Sequence, residues 1–393
     1  MSFRITAPAA YVYLRLNRQI LPALRISSDL ELSLFKSMSK QENTKTVFVG
    51  LSGGVDSSVT ALRLKERGFN VVGVFIKVWH PDFLECNWEE ERLDAMRVAA
   101  KLNIPFLTCD AEEEYKTGVG EYFVNEYLAG RTPNPDVMCN REVKFGAFLR
   151  FAKEHGADYI ATGHYAQVKS DDGIFRLYRG ADPEKDQSYF LWTLTQEELA
   201  FTLLPVGDSL KPDIRAEALK AGLNTAKKKD SQGICFLGQV DIPEFISHFT
   251  DLKEGAVLDT EGQAIGRHKG ALVYTLGQRH GFTIDHPDYQ SEPHYVVGKD
   301  VINNTIVAAT APPIAHASEV VRLEKTNWIV SEPEKGKTFM AQIRHRQTPF
   351  EVELKKVDGE WTVIFTKAQE KPSSGQSLVL YDGEECIGGG IIA

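Results

Sequence analysis

The chain has 393 residues, 42% hydrophobic and 25% charged, which suits two or three ordinary globular domains with sizeable cores. Its 45 basic against 54 acidic side chains leave a formal net charge of −9, so the protein as a whole is not a basic nucleic-acid binder, and any RNA contact has to come from a local patch. No apolar run reaches the roughly 18–20 residues of a membrane span, and five cysteines (Cys86, Cys109, Cys139, Cys235, Cys386) are too few and too odd in number for a secreted disulfide scaffold, so a reducing, cytoplasmic setting is expected.

Residues 1–45 carry Arg4, Arg15, Arg18 and Arg25 with no acid before Asp29. That composition overlaps with an organelle transit peptide. Met38-Ser39-Lys40 would itself be a natural beginning, and the favoured reading is an upstream start or poorly ordered extension, set aside from the fold.

The first strand is expected at 47–51 and the first helix at 57–67, joined by Gly50-Leu51-Ser52-Gly53-Gly54-Val55-Asp56-Ser57. A strand, a glycine turn and a helix N-terminus make an anion site, because unpaired N–H groups and the positive end of the helix dipole converge there. The spacing fits neither a Walker A loop, which needs a Lys, nor a G-x-G-x-x-G dinucleotide turn. Ser-Gly-Gly-Val-Asp-Ser resembles the signature of the PP-loop ATP pyrophosphatases, which cleave ATP to AMP and pyrophosphate. Asp56 is then the loop's candidate Mg²⁺ carboxylate.

Further along, strands are expected at 71–78, 105–109 and 158–163, and helices at 89–102, 115–128 and 143–155. Such alternation implies a parallel sheet covered on both faces, with ligands at the carboxyl ends of its strands. The glycine loop and Thr162-Gly163-His164 both fall at such ends. After Cys235 the texture changes to a Gly-rich mixed stretch with a short helix at 242–249, and from about Thr305 to short β segments with Asp358-Gly359 and Asp382-Gly383 turns. The expected architecture is an α/β parallel-sheet catalytic domain (46–238), a small mixed domain (239–304) and an antiparallel β-barrel-like domain (305–393).

Two cysteines stand out by their surroundings. Cys139 follows the rigid turn Arg131-Thr132-Pro133-Asn134-Pro135-Asp136 and precedes a helix, whose dipole would favour its thiolate. Cys235 comes just after Lys227-Lys228-Lys229. Both are equally compatible with buried small hydrophobes, the commonest fate of a free cysteine. Asp136 on its own reads as a helix cap, which Asp serves well.

At these residues the chain resembles the tRNA-specific 2-thiouridylases, a PP-loop family that puts sulfur on the wobble uridine of certain anticodons. The matching stretches are GLSGGVDSS, AGRTPNPDVMCNREVKF, DYIATGHYA, KDQSYFL, TAKKKDSQGICFLG, LGQRHG, IRHRQT and the run Gly383–Gly390. The resemblance implies ATP-dependent adenylation of the uridine C2 oxygen by Gly50–Ser57, with Ile76 and Gly163 also at the nucleotide. It makes Cys235 the persulfide carrier and Cys139 the nucleophile that frees its sulfur through a transient Cys139–Cys235 disulfide, with Asp136 as general acid/base. That bond needs Cα atoms roughly 4.4–6.8 Å apart in at least one state. It places Asn134, Pro135 and Asp136 at the flipped target base, and His164, Lys185, Asp186, Gln187, Arg344, His345 and Gln376 on the tRNA. The family often has Met where this chain has Ile76 and Asn where it has Val78, which weakens the side-chain assignment there. Expected partners are ATP with Mg²⁺, tRNAs with Lys, Glu and Gln anticodons, and a sulfur-relay or cysteine desulfurase protein, with no membrane. Competing readings are a PP-loop amide or lysidine-type ligase, which needs no cysteine pair, and a non-catalytic RNA-binding relic.

Overall fold

The computed structural model describes residues 44–84, 88–230, 233, 235, 238, 240–334 and 336–393. The N-terminal 43 residues and Cys86 therefore lie outside the described residues. Among the described residues the strands form four sheets, one of them a two-stranded ladder.

The first sheet comprises β1 (Thr46–Gly50), β2 (Asn70–Lys77), β3 (Phe106–Asp110) and β4 (Tyr159–Ala161), then, after a hairpin of β5 (Ala166–Asp171) and β6 (Ile174–Arg179), β7 (Thr202–Leu203). Its order is β3-β2-β1-β4-β7 and every pairing is parallel. Val47, Phe48 and Val49 are fully buried because β1 is central and covered on both faces. Phe48 points into one core with helical residues such as Val143 and Phe148; Val47 and Val49 point into the other with Val59, Ala99 and Ile214. The chain crosses from one side of β1 to the other between β3 and β4, which makes the carboxyl end of β1 the switch point where ligands bind.

Helices Val55–Glu66, Trp88–Leu102 and Lys211–Lys220 cover one face. The other face carries two helical stretches, 112–128 and 135–154, each interrupted by wide π-helical turns, at Lys116–Glu121 and at Cys139–Ala147.

The second sheet, order β10-β9-β8-β12-β11, is built from β8 (Gly255–Leu258), β9 (Ala264–His268), β10 (Phe282–Ile284), β11 (Tyr295–Asp300) and β12 (Thr305–Ala309). It packs on Phe123, Val124 and Tyr127 of the helical stretch 112–128. After a small ladder of β13 (Ile314–Ala315) with β18 (Gln369–Glu370) comes a closed barrel. Its strands are β14 (Val320–Trp328), β15 (Thr338–Gln342), β16 (Phe350–Val357), β17 (Glu360–Phe365), β19 (Ser377–Asp382) and β20 (Glu385–Ile392). β14 pairs with both β17 and β20, which closes the ring and removes the free edges. The expected fold class holds: a parallel α/β unit, a mixed unit and an antiparallel barrel.

Two details differ from the sequence reading. Thr305–Ala309, read as the start of the barrel, lies instead in the second sheet, where β12 runs parallel to β8. The β5–β6 hairpin was not anticipated at all. It leaves the first unit and adds to the barrel, β6 pairing with β20 through Tyr178↔Glu385 and Leu177↔Cys386. Among the described residues no helix is long and apolar enough to cross a membrane.

Candidate active site

β1 ends at Gly50 and the chain turns through Ser52-Gly53-Gly54 into the helix Val55–Glu66. Leu51 N–H still donates to Val74 O at 2.7 Å, so the turn begins only at Ser52. Gly53 has φ +70°, and a Cβ there would lie 2.9 Å from Glu91 O, so glycine is needed on both counts. Gly54 is the N-cap and no side chain caps the helix, which leaves first-turn N–H groups for an anion. Ser52 and Ser57 support the turn: Ser57 Oγ donates to Gly54 O at 3.1 Å and accepts from Ser52 N at 3.3 Å. Val55 is buried beneath the turn, and Ile76, near the end of β2, lies against Gly50.

Gly163 closes the other side. A Cβ on it would sit 2.8 Å from Ser57 N and 2.9 Å from Asp56 Cβ, so the strand-end turn can approach the loop this closely only as glycine. Next to it, His164 is buried, with Nδ1 2.7 Å from Thr162 Oγ1. Burial, then the nearby Lys144 ammonium, hold its imidazole well below the usual range and therefore neutral. The His164 ring lies 5.8 Å from that of Phe145, the residue after Lys144, so Gly163-His164 links the phosphate loop to the cysteine helix.

Asp56 does not stand free in the loop. Its Oδ1 accepts from Tyr165 Oη at 2.7 Å and from Lys211 Nζ at 2.8 Å, and its Oδ2 accepts from Lys211 at 2.7 Å. Lys211 is buried and also meets Asp230 at 2.9 Å, which in turn binds Arg215 at 2.6 Å and Lys185 at 2.7 Å. Against the cost of burial, Lys185 and Lys211 hold the Asp230 carboxyl at about 2. The carboxylate expected to meet Mg²⁺ is thus matched by an ammonium, and among the described residues no group of three His, Cys, Asp or Glu could hold a metal.

The thiols come together. Asn134 caps the short helix Pro135–Met138, its Oδ1 accepting from Val137 N at 3.3 Å, with Pro135 in the first turn. Asp136 follows, and Cys139 opens the π-helical turns, buried. Cys235 arrives from the far side and is tied down by its backbone: its N–H donates to Asp136 Oδ1 at 2.9 Å and its O accepts from Tyr115 Oη at 2.8 Å. Cys235 packs against the core that holds Cys139, and both thiols are free. The neighbouring Cys139, opposed by burial and reinforced by Lys144, brings the Cys235 thiol down to about 7. Burial and the neighbouring Cys235 push Cys139 the other way. The helix dipole was expected to favour a Cys139 thiolate; at the fifth residue of its helical stretch, burial and the neighbouring Cys235 outweigh it. Burial raises Asp136 as well.

Several of the residues expected on the tRNA are also tied to their neighbours. The Asp186 carboxylate accepts from Gly180 N and Ser188 N, both at 3.0 Å, and pairs with Arg179 at 2.9 Å. Gln187 Oε1 accepts from Tyr165 N at 3.0 Å. His345 Nε2 lies 2.8 Å from Asp186 O, and Arg344 binds Glu370 at 2.6 Å and Leu276 O at 3.0 Å. Gln376 O accepts from Ile392 N at 2.8 Å near the barrel seam. Cys109 and Cys386 are buried, each thiol pushed up to about 12 by burial, which leaves them inert. Lys144, Tyr115, Tyr165, Lys211 and Asp230 were not singled out from the sequence. A lysine between Val143 and Phe145 on the cysteine helix was the one signal present.

A parallel sheet with a glycine phosphate loop at its switch point, joined through Gly163-His164 to a pair of thiols, defines a PP-loop nucleotide domain with a cysteine centre. Residues 45–239 match the family described as "tRNA methyl transferase HUP domain", 243–310 "tRNA methyl transferase PRC-barrel domain" and 318–392 "Aminomethyltransferase beta-barrel domain". The chain is 45% identical over 360 residues to tRNA-specific 2-thiouridylase MnmA 2 of Geobacillus kaustophilus, covering 90% of this chain and 96% of the relative. It is 46% identical over 358 residues to tRNA-specific 2-thiouridylase MnmA of Streptococcus mutans, covering 89% and 96%. The chain belongs to the tRNA-specific 2-thiouridylase (MnmA/TrmU) family.

Proposed function

We propose that this chain is the tRNA-uridine 2-sulfurtransferase that converts the wobble uridine of tRNA to 2-thiouridine with ATP. The observation that carries the reading is the meeting of Cys139 and Cys235, with Asp136 Oδ1 bonded to the Cys235 N–H, on a helix joined to the phosphate loop through Phe145, His164 and Gly163.

The uridine C2 oxygen is a poor leaving group. It attacks the α-phosphorus of ATP, pyrophosphate departs, and C2 then bears an AMP leaving group. The loop Gly50–Ser57 offers backbone N–H groups and the helix N-terminus to the phosphates, Ile76 and Gly163 flanking the nucleotide. Cys235 accepts sulfane sulfur from a donor protein as Cys235–S–SH. The Cys139 thiolate attacks the Cys235 sulfur, the S–S bond of a disulfide forms, and hydrosulfide leaves with the electron pair. Hydrosulfide displaces AMP at C2. Two thiols are oxidised as one sulfane sulfur is reduced to sulfide, so an external dithiol must restore them before the next turnover. Asp136 holds or releases the proton that moves, a role supported by its raised pKa on burial and its bond from the Cys235 N–H. Asn134 and Pro135 frame the flipped base, and His164, Lys185–Gln187 and the barrel residues Arg344, His345 and Gln376 form or support the tRNA face. The tRNAs are those with Lys, Glu and Gln anticodons.

The test is mass spectrometry of nucleosides from unmodified tRNA incubated with the protein, ATP and a sulfide source, beside Cys139→Ser and Cys235→Ser. Thiouridine that needs ATP and, with a persulfide donor, both cysteines is the expected result. ATP turnover to AMP with no thiolated nucleoside, indifferent to both substitutions, would instead favour a PP-loop ligase.

A further inference from the structure

The cysteine helix carries a lysine whose placement depends on an unusual backbone. From Cys139 to Ala147 the turns are π-helical, with i→i+5 hydrogen bonding, a feature concentrated at functional sites. In a regular α-helix, residues 139 and 144 would point about 140° apart at 100° per residue. The wider turn brings residue 144 back under residue 139, so Cys139 and Lys144 reach the same spot from one face. Cys235 occupies that spot, held by Asp136 and Tyr115 through its backbone alone. Its sulfur is left to the side chains of Cys139 and Lys144, both near enough to act on its charge.

We infer that Lys144 is a catalytic residue whose ammonium holds the sulfur of Cys235 as the anion that accepts sulfur. The inference rests on the reading of Cys235 as the sulfur carrier. Three charged or titratable side chains face the ammonium: Cys235, Cys139 and Asp136, with neutral His164 behind. Burial works against the lysine's charge, yet the two thiols and Asp136 keep its pKa above the ordinary value. Asp136 is raised by burial and bound to the Cys235 N–H, so the thiolate is the stronger anion for Lys144 to neutralise. The chemistry needs such a cation in both directions. Attack of the Cys235 sulfur on a donor's persulfide starts from a thiolate, and charge builds on the terminal sulfur as Cys139 expels it. A fixed ammonium beside both sulfurs stabilises both charges.

The experiment is peptide-resolved alkylation by iodoacetamide across about pH 5 to 10, where thiolate, not thiol, reacts. It compares the full-length wild type with Lys144→Met and Lys144→Arg. In the wild type the Cys235 rate should titrate near 7. Lys144→Met should move that midpoint up by a unit or more, slowing alkylation at neutral pH about tenfold, and Lys144→Arg should return most of it. An unmoved midpoint in folded Lys144→Met overturns the inference. A lysine that only filled space would change the melting temperature but not this titration. Should Lys144→Met not fold, the ¹⁵N signal of the Lys144 ammonium, assigned by its loss in Lys144→Arg, should titrate with Cys235 and stop doing so in Cys235→Ser; a signal indifferent to Cys235 overturns the inference equally. A midpoint that shifts in a protein making no thiouridine overturns the sulfurtransferase reading and keeps Lys144's hold on the sulfur. An unmoved midpoint in a protein that does make thiouridine overturns the role of Lys144 alone.

Discussion

Two neighbouring thiols in a protein interior do not both ionise readily, and which one keeps the proton decides the order of events. Here burial and Cys235 push Cys139 up while Cys139 and Lys144 bring Cys235 down, which favours the thiolate on Cys235. An acid titrating at about 7 is mostly protonated below about pH 6 and mostly anionic above about pH 8. Uptake of sulfur from a persulfide donor should therefore rise with pH through neutrality. Cys139→Ala, which removes the S–H donor, should shift that rise to higher pH, whereas Cys139→Ser keeps a donor and should leave it nearly in place. Rapid-quench measurement of persulfide on Cys235 against pH separates the two. Asp136 acts beside them: Asp136→Asn retains an acceptor for the Cys235 N–H, so the loop stays docked. The ionisable proton is gone, and thiolation should fall about 10²–10⁴-fold with little change in melting temperature. A variant that keeps full turnover would remove Asp136 from the chemistry and leave it a structural acceptor.

The next level is how elements hold these side chains in register. The turn after β4 touches the helix after β1 with almost no space: a methyl on Gly163 would press on the backbone nitrogen of Ser57, which cannot move without moving the phosphate loop. Gly163→Ala should weaken ATP binding about tenfold, or ~1.4 kcal/mol, readable by titration calorimetry. Unchanged affinity would mean that the loop tolerates displacement and does not grip the phosphates as argued. This contact also shows what was readable from sequence. The loop, Asn134–Cys139 and Gly163-His164 are contiguous strings whose local geometry follows from glycine, proline and capping chemistry, so they could be found without coordinates. Lys211 could not: it meets Asp56 from 155 positions away, at the start of a separate helix. The helix was expected to begin at 143, but Asn134 caps it at Pro135, and the π-helical turns that align Lys144 with Cys139 leave no periodic signature in nine residues. The β5–β6 hairpin was hidden for a further reason. Its pairing partner β20 lies about two hundred residues downstream, and only tertiary contact reveals it.

At the scale of the whole molecule, that hairpin welds the α/β unit to the barrel, since Leu177 shares one core with Val379, Tyr381 and Cys386 as well as with Cys139. The barrel thereby sits fixed relative to the thiols, with His345 against Asp186 at the join. Local cations decide how an acidic protein of net charge −9 meets a polyanion. They are of two kinds. Lys185 is paired with Asp230 and Lys228 with Asp94, and both acids keep other cations, Lys211 and Arg215 for the first and Arg97 for the second. Lys227, Lys229 and Arg346 are exposed and stand outside these pairs. A phosphate displaces counterions mainly from charges not already matched, so the salt dependence of tRNA binding should come from the second kind. Changing Lys227, Lys229 and Arg346 together to Gln should flatten the slope of log affinity against log salt by roughly 0.7–0.9 per residue. Lys185→Gln with Lys228→Gln should barely alter it. Filter binding of one tRNA at several salt concentrations distinguishes the cases. A slope that instead follows Lys185 and Lys228 would mean that their ion pairs open on docking, which would couple tRNA arrival to release of Asp230 and, through Lys211, of Asp56 in the phosphate loop.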